Sequence, residues 1–520
     1  MKSSDEIFQL IKSMSGREKL FFRKKYLSLT GDADNNYLKL FDDIAKQTEG
    51  DSGYDESKIK SGKYTGKFIK NLSFNKNFLY NSILNSLAIL NKDSKGIYSI
   101  RNLITQAEIL ADKMLYEQSL KVLQKAKKIS HEKDLFNNHY DIINTERLIK
   151  KTTDSIEDYT AVVGELFDEQ YKILELNRNL LDYYALNEKV GIFLRSEGSG
   201  RARDKDILHN FEKIFDNPLL KDIENAGSFL AQYIFYNLNL QYHLTKENYE
   251  EAYICAKAAV ELCEKNLEKL VGKLDNYIFS LNNLINCESR SGREPESEIT
   301  AFKMKNLPDE FPGMLSESNK VFIFYSFSVM MISNYITAAD EEKMSAIENE
   351  IRKEIHLYED KMMVYLRIIL YYFMSISNFV RDEFDKCIYW NAKIFNLGKT
   401  DLSEDYQCYA RIIQLISYYE LGYIDSMEYA LKSAYHFISK KKKAYKYESI
   451  IQKYLRRSFR IKTDKELTEM FREMTNELEV IFEDEYEKHA FDAFNILYWL
   501  ESKLKKIPLI EILRQKNSVK

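Results

Sequence analysis

Apolar residues recur at helical spacing along nearly the whole chain. Over Glu117–Ile129, Leu120, Val122, Leu123, Ala126 and Ile129 fall largely on one stripe. Over Asn71–Leu90, Leu72, Leu79, Ile83, Leu84, Leu87 and Leu90 do the same. Steps of three and four residues place side chains on one face of a helix. No sustained apolar–polar alternation bounded by hairpin turns occurs, so no strand is expected. The pattern predicts an all-α chain. Loop-like breaks fall at 32–36, 50–55 and the polar 195–206. The largest lies at 289–318, where Pro295, Pro308 and Pro312 cluster; a hinge or sub-domain boundary is expected there, with room for a short helix around Ile299–Lys305.

Internal similarity gives the helices an order. Segment Ile234–Tyr253 (IFYNLNLQYHLTKENYEEAY) aligns without a gap with Ile369–Ile388 (ILYYFMSISNFVRDEFDKCI). Each reads as an apolar, aromatic first helix, a polar turn, and a second helix opened by an aromatic residue. That opening is Tyr249-x-x-Ala252 in one and Phe384-x-x-Cys387 in the other. It recurs as Tyr116-x-x-Ser119 and, without the aromatic, as Ile424-x-x-Met427. Small residues follow at helical spacing: Ala126, then Ala256 and Ala259, then Ala434. An aromatic beside the turn fills space there, and a small residue one turn later lets the paired helix approach. A lone hairpin cannot bury its apolar face, so successive hairpins are expected to stack.

On LYEQSLKVLQKAKKI at 115–129, NYEEAYICAKAAVEL at 248–262, EFDKCIYWNAKIF at 383–395 and YIDSMEYALKSAYHF at 423–437, the chain resembles the tetratricopeptide repeat superfamily. The family's Trp and Leu-Gly features in the first helix, and its closing proline, have no counterpart here. The resemblance implies a TPR-like α-solenoid, a right-handed superhelix of stacked antiparallel helix hairpins whose first helices line a concave groove. It also implies a peptide or protein as ligand. On that alignment Asn237, Gln241, Tyr372, Tyr409 and Tyr419 would face the groove. The family's carboxylate clamp of Lys, Asn and Arg has no counterpart at the aligned positions, so a chaperone tail is not the expected ligand. The expected organisation is a helical amino-terminal module over 1–95, TPR-like hairpins over 96–288, the proline-containing break over 289–318, and further hairpins over 319–520.

The amino-terminal module reads differently. Ser15 followed by Glu18 forms a capping-box pattern, so a helix should begin near Gly16. A helix ending near Ser13, a short turn and a basic second helix carrying Arg17, Arg23, Lys24 and Lys25 have the outline of a helix-turn-helix.

Composition sharpens these expectations. Five prolines and 17 glycines in 520 residues suit long helices, since proline removes a helical donor and clashes with the preceding turn. A hydrophobic fraction of 45% excludes wholesale disorder. The net charge of −4 gives no global pull toward nucleic acid or membrane. Residues 1–90 nevertheless hold 15 basic against 11 acidic side chains, a local +4. The odd set Cys255, Cys263, Cys287, Cys387 and Cys408 contains no C-x-x-C and suggests buried thiols in a reducing compartment. The start carries acidic residues at once and no signal-peptide core. Val321–Ala339 is uncharged but rich in Ser, Asn and Tyr, which suits a buried helix better than a membrane span. A cytoplasmic protein is expected, with the Lys-, Asn- and Ile-rich usage of an AT-rich bacterium.

Catalytic signatures are missing. Ser61–Lys67 lacks the first glycine of a phosphate loop, has Phe68 where Ser or Thr is needed, and follows no strand. The seven histidines are scattered without H-E-x-x-H, and no nucleophile elbow occurs. No metal, cofactor or catalytic residue is expected. The most uneven charged stretch is 439–465, where Lys441, Lys442, Lys443, Arg456, Arg457 and Arg460 interleave with tyrosines. Such a tract can hold phosphates while aromatics stack on bases, or it can be a solvated helix face. The expected function is a non-enzymatic scaffold or adaptor that binds a protein or peptide. The alternatives are a ligand-sensing regulator with a nucleic-acid-binding amino-terminal module, and an enzyme whose site is assembled from distant residues.

Overall fold

The structure, a computed structural model, describes residues 3–30, 35–48, 53–62, 64–91, 97–196, 205–270, 274–398, 403–438, 446–458, 461, 463–484, 487–491 and 495–517. Among these residues it is all-α, with 25 α-helices, short 3-10 turns and no strand. Two compact units divide at residues 173 and 174, a point that falls within one long helix.

The first unit holds α1 (Ser3–Ser13), α2 (Gly16–Thr30), α3 (Asn36–Gln47), α4 (Glu56–Lys60), α5 (Gly66–Lys70), α6 (Leu72–Asn91), α7 (Ile97–Asp112), α8 (Tyr116–Glu132), α9 (Phe136–Thr153) and the start of α10 (Ile156–Ser196). Helix α2 begins where the capping box requires: the Glu18 amide donates to Ser15 Oγ at 3.3 Å, and the Ser15 amide donates to Glu18 Oε2 at 2.7 Å. Helices α1, α2, α3 and α5 all pack on α6, burying Ile7, Ile11, Phe22, Phe41, Phe68 and Leu79. Helices α7, α8 and α9 then pack in succession over Ile100, Ala107, Leu123, Ala126 and Ile142.

The second unit holds the rest of α10, α11 (Lys205–Ile214), α12 (Phe229–Thr245), α13 (Tyr249–Lys265), α14 (Leu274–Arg290), α15 (Glu294–Glu310), α16 (Glu317–Thr337), α17 (Glu341–Glu354), α18 (Val364–Val380), α19 (Phe384–Phe395), α20 (Glu404–Glu420), α21 (Ile424–Ile438), α22 (Lys446–Ser458), α23 (Asp464–Phe482), α24 (Ile496–Lys505) and α25 (Leu509–Asn517). From α12 to α17, and again from α18 to α21, each helix packs on its neighbour in sequence. In addition α14 packs on α16, α16 on α18, α18 on α20 and α20 on α22, so the first helices of successive hairpins stack directly. This is the arrangement of a helical-repeat solenoid.

One turn recurs through both units. Met114, Asp134, Glu247, Gly292, Ala339, Asp382 and Gly422 each carry a positive φ between two helices. After each, the next amide donates to the carbonyl five residues back, at 2.8 to 3.1 Å, as Asn248 does to His243 and Glu383 to Asn378. This is the Schellman ending of the first helix. Five residues beyond the positive φ stand Ser119, His139, Ala252, Ser297, Met344, Cys387 and Met427, none more than 2% exposed. The alignment of 234–253 with 369–388 therefore superposes the turn residues Glu247 and Asp382, and the copies at 116 and 424 share their register. In the second unit the turns fall about 40 to 47 residues apart. The expected small residues Ala126, Ala256, Ala259 and Ala434 are all buried.

The proline cluster is largely helix. Pro295 occupies the first turn of α15, where its missing N–H costs nothing, and Pro308 sits in the last turn. The uncharged stretch 321–339 is mostly α16, and its polar load is largely paired. Ser326 Oγ donates to Asn282 Oδ1 at 2.7 Å, and Asn334 bonds both Ser289 and Ser297 at 2.9 Å. No helix among the described residues is long and apolar enough to cross a membrane. Four of the five cysteines are buried and none is disulfide-bonded; burial pushes the Cys255 thiol to about 11 and Cys263 to about 12.

Candidate functional site

The first helices place the expected groove residues unequally. Asn237 and Gln241, one turn apart on α12, are half-buried. Asn237 Nδ2 donates to the Tyr233 carbonyl at 2.8 Å, while its Oδ1 accepts from Asn283 of α14 at 3.2 Å. Tyr372 and Tyr409 are not at a groove surface: they are 0% and 6% exposed. Their rings lie 6.3 Å apart, with Tyr406 5.3 Å from Tyr372. Burial drives the Tyr372 phenol well above its ordinary value. Tyr419 is half-buried and meets Phe471 and Trp499 edge-on at 6.1 Å, with its phenol raised to about 12 by burial. Tyr372 and Tyr409 thus pack α18 on α20, and Tyr419 separately packs α20 on α23 and α24.

The candidate anion contacts also divide. On α2, Arg17, Arg23 and Lys24 are exposed and Lys25 is half-buried, and Arg23 Nη2 bonds Asp42 of α3 at 2.8 Å. On α22, Arg456 is exposed, whereas Arg457 pairs with Glu473 and Lys453 pairs with Glu477 at 2.7 Å, both on α23. The acidic face of α23 thus neutralises part of the basic tract. Lys441, Lys442, Lys443 and Arg460 lie outside the described residues, as do parts of the expected loops at 32–36, 50–55 and 195–206.

Two of the clefts among the described residues lie in the second unit. One, of about 420 Å³, lies between α11 and α12. Its walls include Phe215 and Tyr242, whose rings are 4.6 Å apart, and the imidazoles of His209 and His243. Lys246 pairs with Glu212 at its edge. Burial lowers the His243 pKa, against the opposing pull of Glu251, so this ring is neutral near neutral pH. Among the described residues the lining offers no serine, threonine or cysteine nucleophile. The second cleft, of about 170 Å³, is enclosed by α15, α16 and α17.

In the first unit the structure assembles a buried relay that the sequence does not reveal. His139 Nδ1 lies 2.9 Å from Ser130 Oγ, and His139 Nε2 lies 2.9 Å from Glu169 Oε1. Lys127 Nζ bonds Glu169 at 2.7 Å and Glu146 at 3.2 Å. Burial lowers the His139 pKa while Glu169 opposes it. Lys127 and His139 hold Glu169 below the usual carboxylate range, although burial works against them. The outline is Ser–His–Glu, but Ser130 is 1% exposed and also bonds the Lys127 carbonyl at 2.8 Å. Its hydroxyl is taken up by those two bonds and it lines neither cleft, so the relay fastens α8, α9 and α10 together. No group of His, Cys, Asp and Glu among the described residues is arranged to hold a metal.

Comparison with family models, curated proteins and solved structures finds no match for the chain.

Proposed function

We propose that this chain is a non-enzymatic, TPR-like scaffold or adaptor that binds a protein or peptide segment in the bacterial cytoplasm. The observation that carries this reading is the direct stacking of the first helices from α14 to α22. Polar bonds between neighbouring first helices join residues 44 to 46 positions apart: Asn237 with Asn283, Asn282 with Ser326, Asp275 with Asn319, and Ser289 with Asn334. A surface built this way presents a row of side chains from successive repeats to one extended ligand. Asn237 and Gln241 are its accessible candidates on α12. The test is binding of partners captured from native extract, measured with the intact chain and with Asn237→Ala and Gln241→Ala. Retention of no protein or peptide above background, together with unchanged behaviour of both variants, overturns the reading.

A second reading, a regulator with a nucleic-acid-binding amino-terminal module, draws on the α1–α2 pair. Only Met14 and Ser15 separate the two helices, and Arg17, Arg23 and Lys24 are exposed on the second. A mobility-shift series decides it: specific binding survives moderate salt, whereas complete loss by about 150 mM reduces it to charge attraction.

A further inference from the structure

The cleft between α15, α16 and α17 has the makings of a ligand site independent of any partner surface. Its walls are apolar and well buried: Ile323 is 4% exposed, Phe327 4% and Ile351 1%. Tyr358 stacks on Phe324 at 4.6 Å with planes 21° apart. The Lys305 ammonium lies 4.5 Å from the centre of the Phe327 ring and pairs with Glu350. With Lys320 and Glu354, these complete a rim of two cations and two anions. A balanced rim over apolar walls favours a neutral ligand over an ion.

One polar group breaks the apolar lining. Ser328 is 1% exposed, and its Oγ has no hydrogen-bond partner among the described residues. Ser417, by contrast, returns its proton to the Ile413 carbonyl four residues back at 2.8 Å, and the other buried serines without a partner, Ser86 and Ser377, line neither cleft. Buried hydroxyls are normally satisfied, so one left over beside a cleft asks for a partner from outside. The cleft's size narrows the choice. A cavity of about 150 Å³ lined by aliphatic and aromatic side chains accepts benzene. The 170 Å³ here therefore accommodates one six-membered ring and a small polar substituent.

We propose that this cleft binds a single uncharged phenol ring, its hydroxyl hydrogen-bonded to Ser328 Oγ. The ring comes either from a free phenolic small molecule or from a tyrosine side chain of a bound peptide, and both present the same chemistry.

The test uses the full chain and ligand titrations followed by NMR with p-cresol, toluene and N-acetyltyrosinamide. Saturable p-cresol binding about tenfold tighter than toluene, the worth of one hydrogen bond, is expected. In Ser328→Ala that preference should vanish while toluene still binds. The substitution removes an unpartnered hydroxyl, so an unchanged or raised melting temperature shows that loss of preference is not unfolding. Binding of N-acetyltyrosinamide as well as p-cresol assigns the site to a tyrosine side chain, and p-cresol alone assigns it to a free phenol. Equal binding of toluene and p-cresol, a preference that persists in Ser328→Ala, or no saturation by either up to about 10 mM overturns the proposal.

Discussion

Glu288 makes the second unit sensitive to pH, and Glu288→Gln exposes how much. Its carboxyl is 5% exposed near the C-terminal end of α14, where the helix dipole also disfavours an anion. Oε1 accepts one bond from Thr300 Oγ1 at 3.2 Å, and Oε2 has no partner among the described residues. Burial raises its pKa from 4.5 to about 7, with Thr300 opposing. Below about pH 4.5 both folded and unfolded forms hold the proton, and the site imposes no linkage cost. As pH rises toward 7, the unfolded chain ionises first and stability falls. Above the folded pKa the loss levels off near 2.5 units at 1.36 kcal/mol each, about 3 kcal/mol. Glutamine keeps the acceptor for Thr300 and never ionises. The variant should match the parent at about pH 4 and melt about 4 °C higher at about pH 8, given the transition entropy of a cooperative unit this large. Calorimetric melting of both proteins across that range is the assay. A difference independent of pH, or a parent that gains on the variant as pH rises, refutes the reasoning.

Other outcomes follow from single contacts. Glu348 and Arg381 are each 5% exposed and paired, with Arg352 as a second partner of the carboxylate, so Arg381→Leu should cost about 2 kcal/mol by removing one of the two charge-assisted bonds that hold a buried anion. Adding Glu348→Leu should recover most of that in a denaturant double-mutant cycle, and simple addition of the two losses would contradict it. Ala339 sits at φ 52° and Gly292 at φ 71° in equivalent turns, so Ala339→Gly should stabilise by about 0.5 to 1 kcal/mol and Gly292→Ala should destabilise by about as much in urea unfolding. His139 is buried with its pKa held below 6.5, so the unfolded chain takes up its proton first and the first unit should lose stability as pH falls through that value. His139→Gln should flatten that slope in melting curves; an unchanged slope would assign the effect to other groups.

The all-α architecture was legible because helical spacing persists through nearly every segment, and the four aligned second helices fall in the register of the turns. The remaining hairpins escaped detection for physical reasons. The turn requires a left-handed residue, yet only Gly292 and Gly422 among the seven are glycine, and Met114, Glu247, Ala339 and Asp382 advertise nothing. Helices α15 and α17 open on Glu294 and Glu341, so the aromatic opening does not mark them. Proline is ambiguous in the other direction: Pro295 punctuates a sequence, yet the first turn of a helix, where it sits in α15, is where proline is tolerated best.

The site was less legible because stacking erases the difference between the two faces of a first helix. Along α18, Leu366, Ile368, Leu370, Tyr371, Tyr372, Met374 and Ser375 to Val380 are all buried, so no periodic stripe distinguishes groove from core. Tyr372 therefore looked available when it is enclosed. The groups that matter chemically meet across long separations, His139 with Glu169 and Glu348 with Arg381, and each alone reads as an ordinary surface charge or stray histidine. The unpartnered hydroxyl of Ser328 is invisible for the complementary reason: in sequence it is one more serine in a polar helix whose other bonds are met. What recurs in this chain is a backbone turn and a set of bonds 44 to 46 residues apart, carried by different side chains each time. Such a fold constrains where a residue sits more tightly than which residue it is, so departures from the expected polarity at a repeat position, as at Glu348, His139 and Ser328, are where specific chemistry has been added to the scaffold.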